Sequence, residues 1–234
     1  MKNYLEHLRT EPFTTHREWS LEDIPVLWAD VSLPEPVPAL SAVCRRIRRY
    51  YHLQSRAFLR YCQKELLPLA QAEARAALAE SRPLPEFRAE LTYQVTYNAH
   101  GFWSLYTQVR EHTLPGPDFL LRRGDTWDLG SGYPAALSDF FPRRSGYKRR
   151  LLSAAEAEIQ RRERAGLCRC HESWRRDLRR HFSPRNYYLT EEGLAFFYPM
   201  YAIAPAAAGI PVFTLPYGEG LSFPPEAPEP SPGA

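Results

Sequence analysis

The stretch RAELTYQVTYN, residues 88–98, alternates strictly between two kinds of side chain. Ala89, Leu91, Tyr93, Val95 and Tyr97 fall on one side, and Arg88, Glu90, Thr92, Gln94, Thr96 and Asn98 on the other. Successive side chains of a strand point to opposite faces, so the stretch predicts a half-buried strand with one wet or differently packed face. Asn98-Ala99-His100-Gly101 supplies turn chemistry, and Phe102–Glu111 reads as the returning strand. A third strand is expected over Phe119–Leu129, after a Pro/Gly loop, with Gly130-Ser131-Gly132 to end it. Together the three make an antiparallel meander.

Upstream, residues 1–20 are polar and weakly patterned, and no element is predicted there. Ile24–Val31 reads as a short strand closed by LPEPVP, residues 33–38. From Pro38 the period changes. Leu40, Val43, Cys44, Ile47, Tyr51, Phe58, Cys62 and Leu66 recur at helical spacing, which predicts a long amphipathic helix with Pro38 in its first turn. Pro68 should kink or end that helix, and Ala70–Ala79 can continue as an alanine-rich segment.

Downstream, Leu137–Phe141 reads as a helical turn and Tyr147–Arg164 as a helix with Leu151, Leu152, Ala155 and Ile159 inward. A further helix is expected over about Glu172–Phe182, with Trp174 and Leu178 inward. Asn186–Thr190 and Leu194–Tyr198 read as a hairpin around Glu191-Glu192-Gly193, and Pro211–Pro216 as a last strand. The expected fold is α+β: an antiparallel sheet meander packed against one long N-terminal helix and two C-terminal helices. It fills a single domain over 1–223, and PPEAPEPSPGA, residues 224–234, is expected to be a disordered tail.

Composition agrees with a packed interior. Hydrophobic residues make up 44% of the 234, with 14 Tyr, 12 Phe and 5 Trp. The formal net charge of +3 creates no global field that demands a polyanionic partner. The first residues show no apolar run followed by a small-residue cleavage site, and no window approaches the roughly 18 apolar residues of a membrane span. Cys44, Cys62, Cys168 and Cys170 are therefore expected as reduced thiols in a cytoplasmic protein.

Three stretches carry a family likeness: YQVTYNAHGFWSLY (93–106), RRGDTWDLGSGYPAALSDFF (122–141) and NYYLTEEGLAFFYPMYAIAPAAAGIPVFTLPY (186–217). In order and spacing they resemble the RsiV-like domain family, found in an extracytoplasmic anti-sigma-factor domain and as an accessory domain of peptidoglycan deacetylases. The resemblance covers roughly residues 20–220. It implies an α+β fold and a non-catalytic recognition role, in the anti-sigma factor the recognition of lysozyme. The family's Gly-Gly-Ala-His-Gly loop is replaced here by Leu114-Pro115-Gly116-Pro117-Asp118, with Pro117 at the histidine position.

The reading is thus a stand-alone, non-catalytic binding domain whose ligand is a protein such as lysozyme or a cell-wall-related molecule. Its contacts are expected at Leu114, Pro115, Gly116, Pro117, Asp118, Arg122, Trp127, Tyr198 and Tyr201. The segment Phe196–Gly209, aromatic and then small, is where another surface could approach closely. No cofactor or metal is expected: Cys168-Arg169-Cys170-His171 lacks a second ligand pair, and Cys44 and Cys62 stand about 27 Å apart along one helix. Asp125, Asp128, Asp139, Glu191 and Glu192 are the carboxylates that a hydrolase would need, and turn roles account for them better. No nucleophile elbow or phosphate loop is present. Arg143, Arg144, Lys148, Arg149 and Arg150, with Arg161, Arg162, Arg164, Arg175, Arg176, Arg179 and Arg180, could hold phosphates if the two C-terminal helices pack side by side. Interleaved Glu156, Glu158, Glu163, Glu172 and Asp177 favour an ordinary solvated face over a nucleic-acid surface.

Overall fold

The computed structural model describes residues 7–113, 117–218 and 220–223. Its first element is absent from the sequence reading. β1 (Thr10–Leu21) pairs antiparallel with β2 (Ile24–Pro36) through a tight turn in which Glu22 and Asp23 both take positive φ. β1 is an edge strand whose side chains are mostly exposed, with Phe13 and Trp19 packed on the core, so it shows little apolar alternation. β2 continues to Pro36, past its expected end at Val31. Beyond Val31 it has lost its pairing with the next strand, and a strand with one partner tolerates the missing N–H of Pro34 and Pro36.

Helix α1 (Ala42–Tyr61) begins at Ser41, whose Oγ accepts from the Cys44 amide at 3.0 Å, and Pro38 lies before it. Cys44, Ile47, Tyr51, Ser55 and Phe58 face the core. Pro68 does not end the helix. A single π turn, Cys62–Leu66, precedes it and leads straight into α2 (Leu67–Ala79). Proline removes one backbone donor and crowds the carbonyl four residues back, and the wider turn relieves both. Ala70, Ala74 and Ala77 then lie against the sheet.

This long helix is a crossover. It returns the chain to β3 (Phe87–Ala99), which pairs with β2 in parallel, from Leu27↔Phe87 to Val31↔Leu91. The sheet is therefore mixed, where an antiparallel meander was expected. β4 (Phe102–His112), β5 (Phe119–Asp128) and β6 (Tyr133–Pro134) complete it as a meander, in the order β1-β2-β3-β4-β5-β6. A bulge between Val95 and Tyr97 breaks the alternation of β3. Ala89, Leu91, Tyr93 and Val95 belong to the core under α1, whereas Tyr97 and Ala99 belong to a second core.

That second core is built by a 3₁₀ turn (Leu137–Phe140), α3 (Tyr147–Arg164), α4 (Trp174–Arg180) and a separate sheet of β7 (Tyr187–Leu189), β8 (Gly193–Phe197) and β9 (Val212–Pro216). The two sheets meet at Gly124, where a Cβ would stand 1.9 Å from the Tyr187 carbonyl oxygen. Ser104 locks the joint, its Oγ accepting from the Leu189 amide at 2.8 Å and lying 2.7 Å from Thr126 Oγ1. No helix among the described residues is long and apolar enough to cross a membrane.

Candidate functional site

The helices cover one face of the main sheet, and the second sheet covers the other face near the β3–β4 turn. The rest of that second face is open. It carries the polar half of the β3 alternation, in register with its neighbours: Asp30 pairs with Glu90, Glu90 with Arg110, Thr92 with Gln108, and Gln108 with Arg122. The rows are joined by side-chain bonds. His16 Nδ1 lies 2.7 Å from Asp30 Oδ1, and Trp28 Nε1 donates to Glu18 at 3.0 Å. His112 Nδ1 lies 2.9 Å from Asp118 Oδ1.

Arg122 is the centre of this face. Its guanidinium lies 3.9 Å above the Tyr106 ring, and it donates to Gln108 Oε1 at 2.7 and 3.1 Å and to the Tyr188 hydroxyl at 3.3 Å. Burial raises the Tyr188 hydroxyl above the ordinary phenol range, so it stays a neutral partner to the arginine. Tyr106 in turn donates to Gln94 Oε1 at 2.5 Å. Four strands thus contribute to one preordered polar surface.

Of the contacts expected from sequence, Asp118 and Arg122 lie on this face. Leu120, between them on β5, has its amide 3.2 Å from Met200 Sδ, which brings the segment after β8 to the same end of the sheet. Tyr201, next to Met200, is 51% exposed and held at φ 67°. Pro117 is exposed, and Leu114, Pro115 and Gly116 lie outside the described residues. Two residues sit elsewhere. Trp127 is 2% exposed under α1, and Tyr198 is 1% exposed in the second core. Sequence reasoning missed His16, Asp30, Tyr106, Gln108 and Tyr188. The alternation of β3 signalled a wet face but not which strands extend it.

The carboxylates have other duties. Asp128 accepts from the Gly130 amide at 2.8 Å and Asp139 from the Ala136 amide at 2.9 Å, while Glu191 and Glu192 are exposed at the hairpin turn. Asp125 is buried beneath α1, where it accepts from Tyr50 at 2.9 Å, Tyr51 at 3.4 Å and Arg123 at 3.3 Å. Burial raises its carboxyl above the usual range, and Arg123 and the phenols only partly oppose that. Trp127 Nε1 donates to the Tyr51 hydroxyl at 3.1 Å, so the network ties helix to sheet. The four cysteines are free thiols, and burial pushes Cys62 up to about 12 and Cys170 up to about 11, so neither is a ready thiolate. Among the described residues no group of three or more His, Cys, Asp or Glu could hold a metal ion.

Residues 138–218 match the family model described as Protein of unknown function (DUF3298). That stretch holds α3, α4 and the second sheet. Among solved structures, the chain is similar to a DUF3298 family member (BF2082) from Bacteroides fragilis NCTC 9343, with a TM-score of 0.66, 15% identity and 91% of each chain covered. It is also similar to a DUF3298 family protein (PA4972) from Pseudomonas aeruginosa PAO1, with a TM-score of 0.54 and 15% identity, covering 92% of this chain and 94% of that one. At such identity the likeness shows the fold alone. No curated protein matches the chain.

Proposed function

We propose that this chain is a non-catalytic binding domain that recognises a protein through the open face of its main sheet. The observation that carries the reading is the convergence of Asp118, Arg122 and the Met200–Tyr201 segment around Leu120. Side chains of both signs stand there in fixed register, and mixed charge selects a partner by complementarity.

The RsiV-like resemblance makes lysozyme the first protein to try and soluble peptidoglycan fragments the control. Calorimetric titration of the full chain tests the reading. Arg122→Ala and Tyr201→Ala should each weaken lysozyme binding by about tenfold, the scale of a contact worth 1–2 kcal/mol. Binding that both variants retain in full places the ligand elsewhere. Binding to the glycan fragments alone replaces a protein ligand by a carbohydrate one, and no binding to either removes the reading in this form.

A further inference from the structure

A large cleft lies away from the open sheet face, against α3 and α4. It measures about 1310 Å³ and is bounded by the loop after the 3₁₀ turn, the first turns of α3 and the outer side of α4. Arg143, Arg144, Lys148, Arg149, Arg175 and Arg179 line it, against the carboxylates of Asp139 and Glu156. Both acids are engaged, Asp139 with the Ala136 amide at 2.9 Å and Glu156 with Arg175 Nε at 3.2 Å. The side chains of Arg143, Arg144, Arg149 and Arg179 have no ion pair or hydrogen bond among the described residues.

Three further features converge there. The first turn of α3 contains Lys148 and Arg149, no acidic residue and no side-chain cap. The positive end of a helix dipole disfavours cations, so this arrangement costs stability unless an anion sits among them. Gly146 at the helix start has φ 65° and Arg144 has φ 61°, which turns the backbone sharply at the cleft. Ser145 Oγ, also in the lining, is shielded from solvent and has no hydrogen-bond partner.

We infer that this cleft is a binding site for an oligophosphate, a ligand with two or more adjacent phosphate groups. Uncapped helix amides suit a phosphate oxygen, and arginine forks match phosphate geometry on the flanks. Spacing the cations around a cleft suits several negative charges on one ligand. Nucleic acid is the weaker fit: Phe141 and Tyr147, the aromatic residues of the lining, already stack on each other at 5.2 Å and offer no free platform for bases.

Titration of the full chain with inorganic tripolyphosphate at low salt tests this, with inorganic phosphate and a single-stranded DNA 20-mer as further arms. One tripolyphosphate should bind per chain, with inorganic phosphate weaker by at least about tenfold, one charge-assisted contact. Arg149→Glu with Arg179→Glu should weaken tripolyphosphate by about 100-fold on the same scale without lowering the Tm, since both side chains are exposed and a carboxylate in the first turn of α3 suits the helix dipole. Arg17→Glu with Arg56→Glu makes the same charge change outside the cleft and should leave affinity within about twofold. No binding, equal loss in both double variants, or equal affinity for inorganic phosphate overturns the inference. DNA binding that tripolyphosphate does not compete away also overturns it, in favour of a nucleic-acid surface. The sheet-face variants Arg122→Ala and Tyr201→Ala should bind tripolyphosphate normally, which keeps this result separate from the one for a protein ligand.

Discussion

Asp125 shows how much of a buried polar site depends on residues distant in sequence. Its acceptor bonds come from Tyr50 and Tyr51 on α1 and from Arg123 two positions away. Nothing in the local sequence DTWD distinguishes such a residue from a turn aspartate, the role that the sequence favours over a carboxylate available for chemistry. Replacing it with alanine leaves the fully buried Tyr51 hydroxyl without its acceptor, and Asp125→Ala should cost about 2–3 kcal/mol in urea unfolding. Asp125→Asn keeps an acceptor oxygen and should cost less. The two also separate by pH. Burial raises the Asp125 carboxyl in the folded state, so the folded chain binds more protons than the unfolded chain between the ordinary carboxylate value and the raised one. Stability from this group is then present below the ordinary value and is lost as pH rises through the raised one. The stability of the native chain relative to Asp125→Asn should therefore increase as pH falls from 7 toward about 4. A flat difference across that range would mean that Arg123 and the phenols cancel the burial.

At the scale of elements, the long helix was legible and its irregularity was legible in principle. The buried positions Phe58, Cys62, Leu66, Ala70 and Ala74 succeed one another every four residues, a run that a regular 3.6-residue helix cannot keep on one face. One wide turn absorbs the drift, and the sequence places it just before Pro68. Removing the exposed Lys64 would restore a regular turn and also set the proline inside an unrelieved α-helix. Deleting Lys64 alone should thus cost about 3 kcal/mol, the typical penalty of an interior proline. The same deletion combined with Pro68→Ala should return the chain to within about 1 kcal/mol of the native midpoint, since Phe58 through Ala74 can still share a face. Equal destabilisation in both variants would show that the π turn is needed for itself. β1 was illegible for a different reason: an edge strand exposed on most of its length has no strong alternation to read.

At the scale of the whole molecule, what escaped the sequence is what depends on register between distant segments: the parallel β2–β3 pair, the separation of the last three strands into a sheet of their own, the rows around Arg122 and the cleft between α3 and its preceding loop. The arginines of that cleft were visible as clusters, but their convergence needed the packing of α3 beside α4. The two cores that result share a narrow joint at Gly124, Ser104 and Thr126. Trp103 and Trp127 report on the first core and Trp174 on the second. A chain this long need not unfold in one step, yet Ser104 is fully buried and binds both sheets, so neither core can open without stranding polar groups of the other. Urea unfolding followed by tryptophan fluorescence and by far-UV circular dichroism should give coincident transitions. Gly124→Ala attacks the joint directly, because its Cβ meets backbone at Tyr187 and no side chain can move aside. The substitution should cost about 3 kcal/mol or more and split the two probes, with the second core melting first. Coincident curves in this variant would place the coupling outside the joint, in the aromatic contacts of Phe102 and Tyr97 with Phe223.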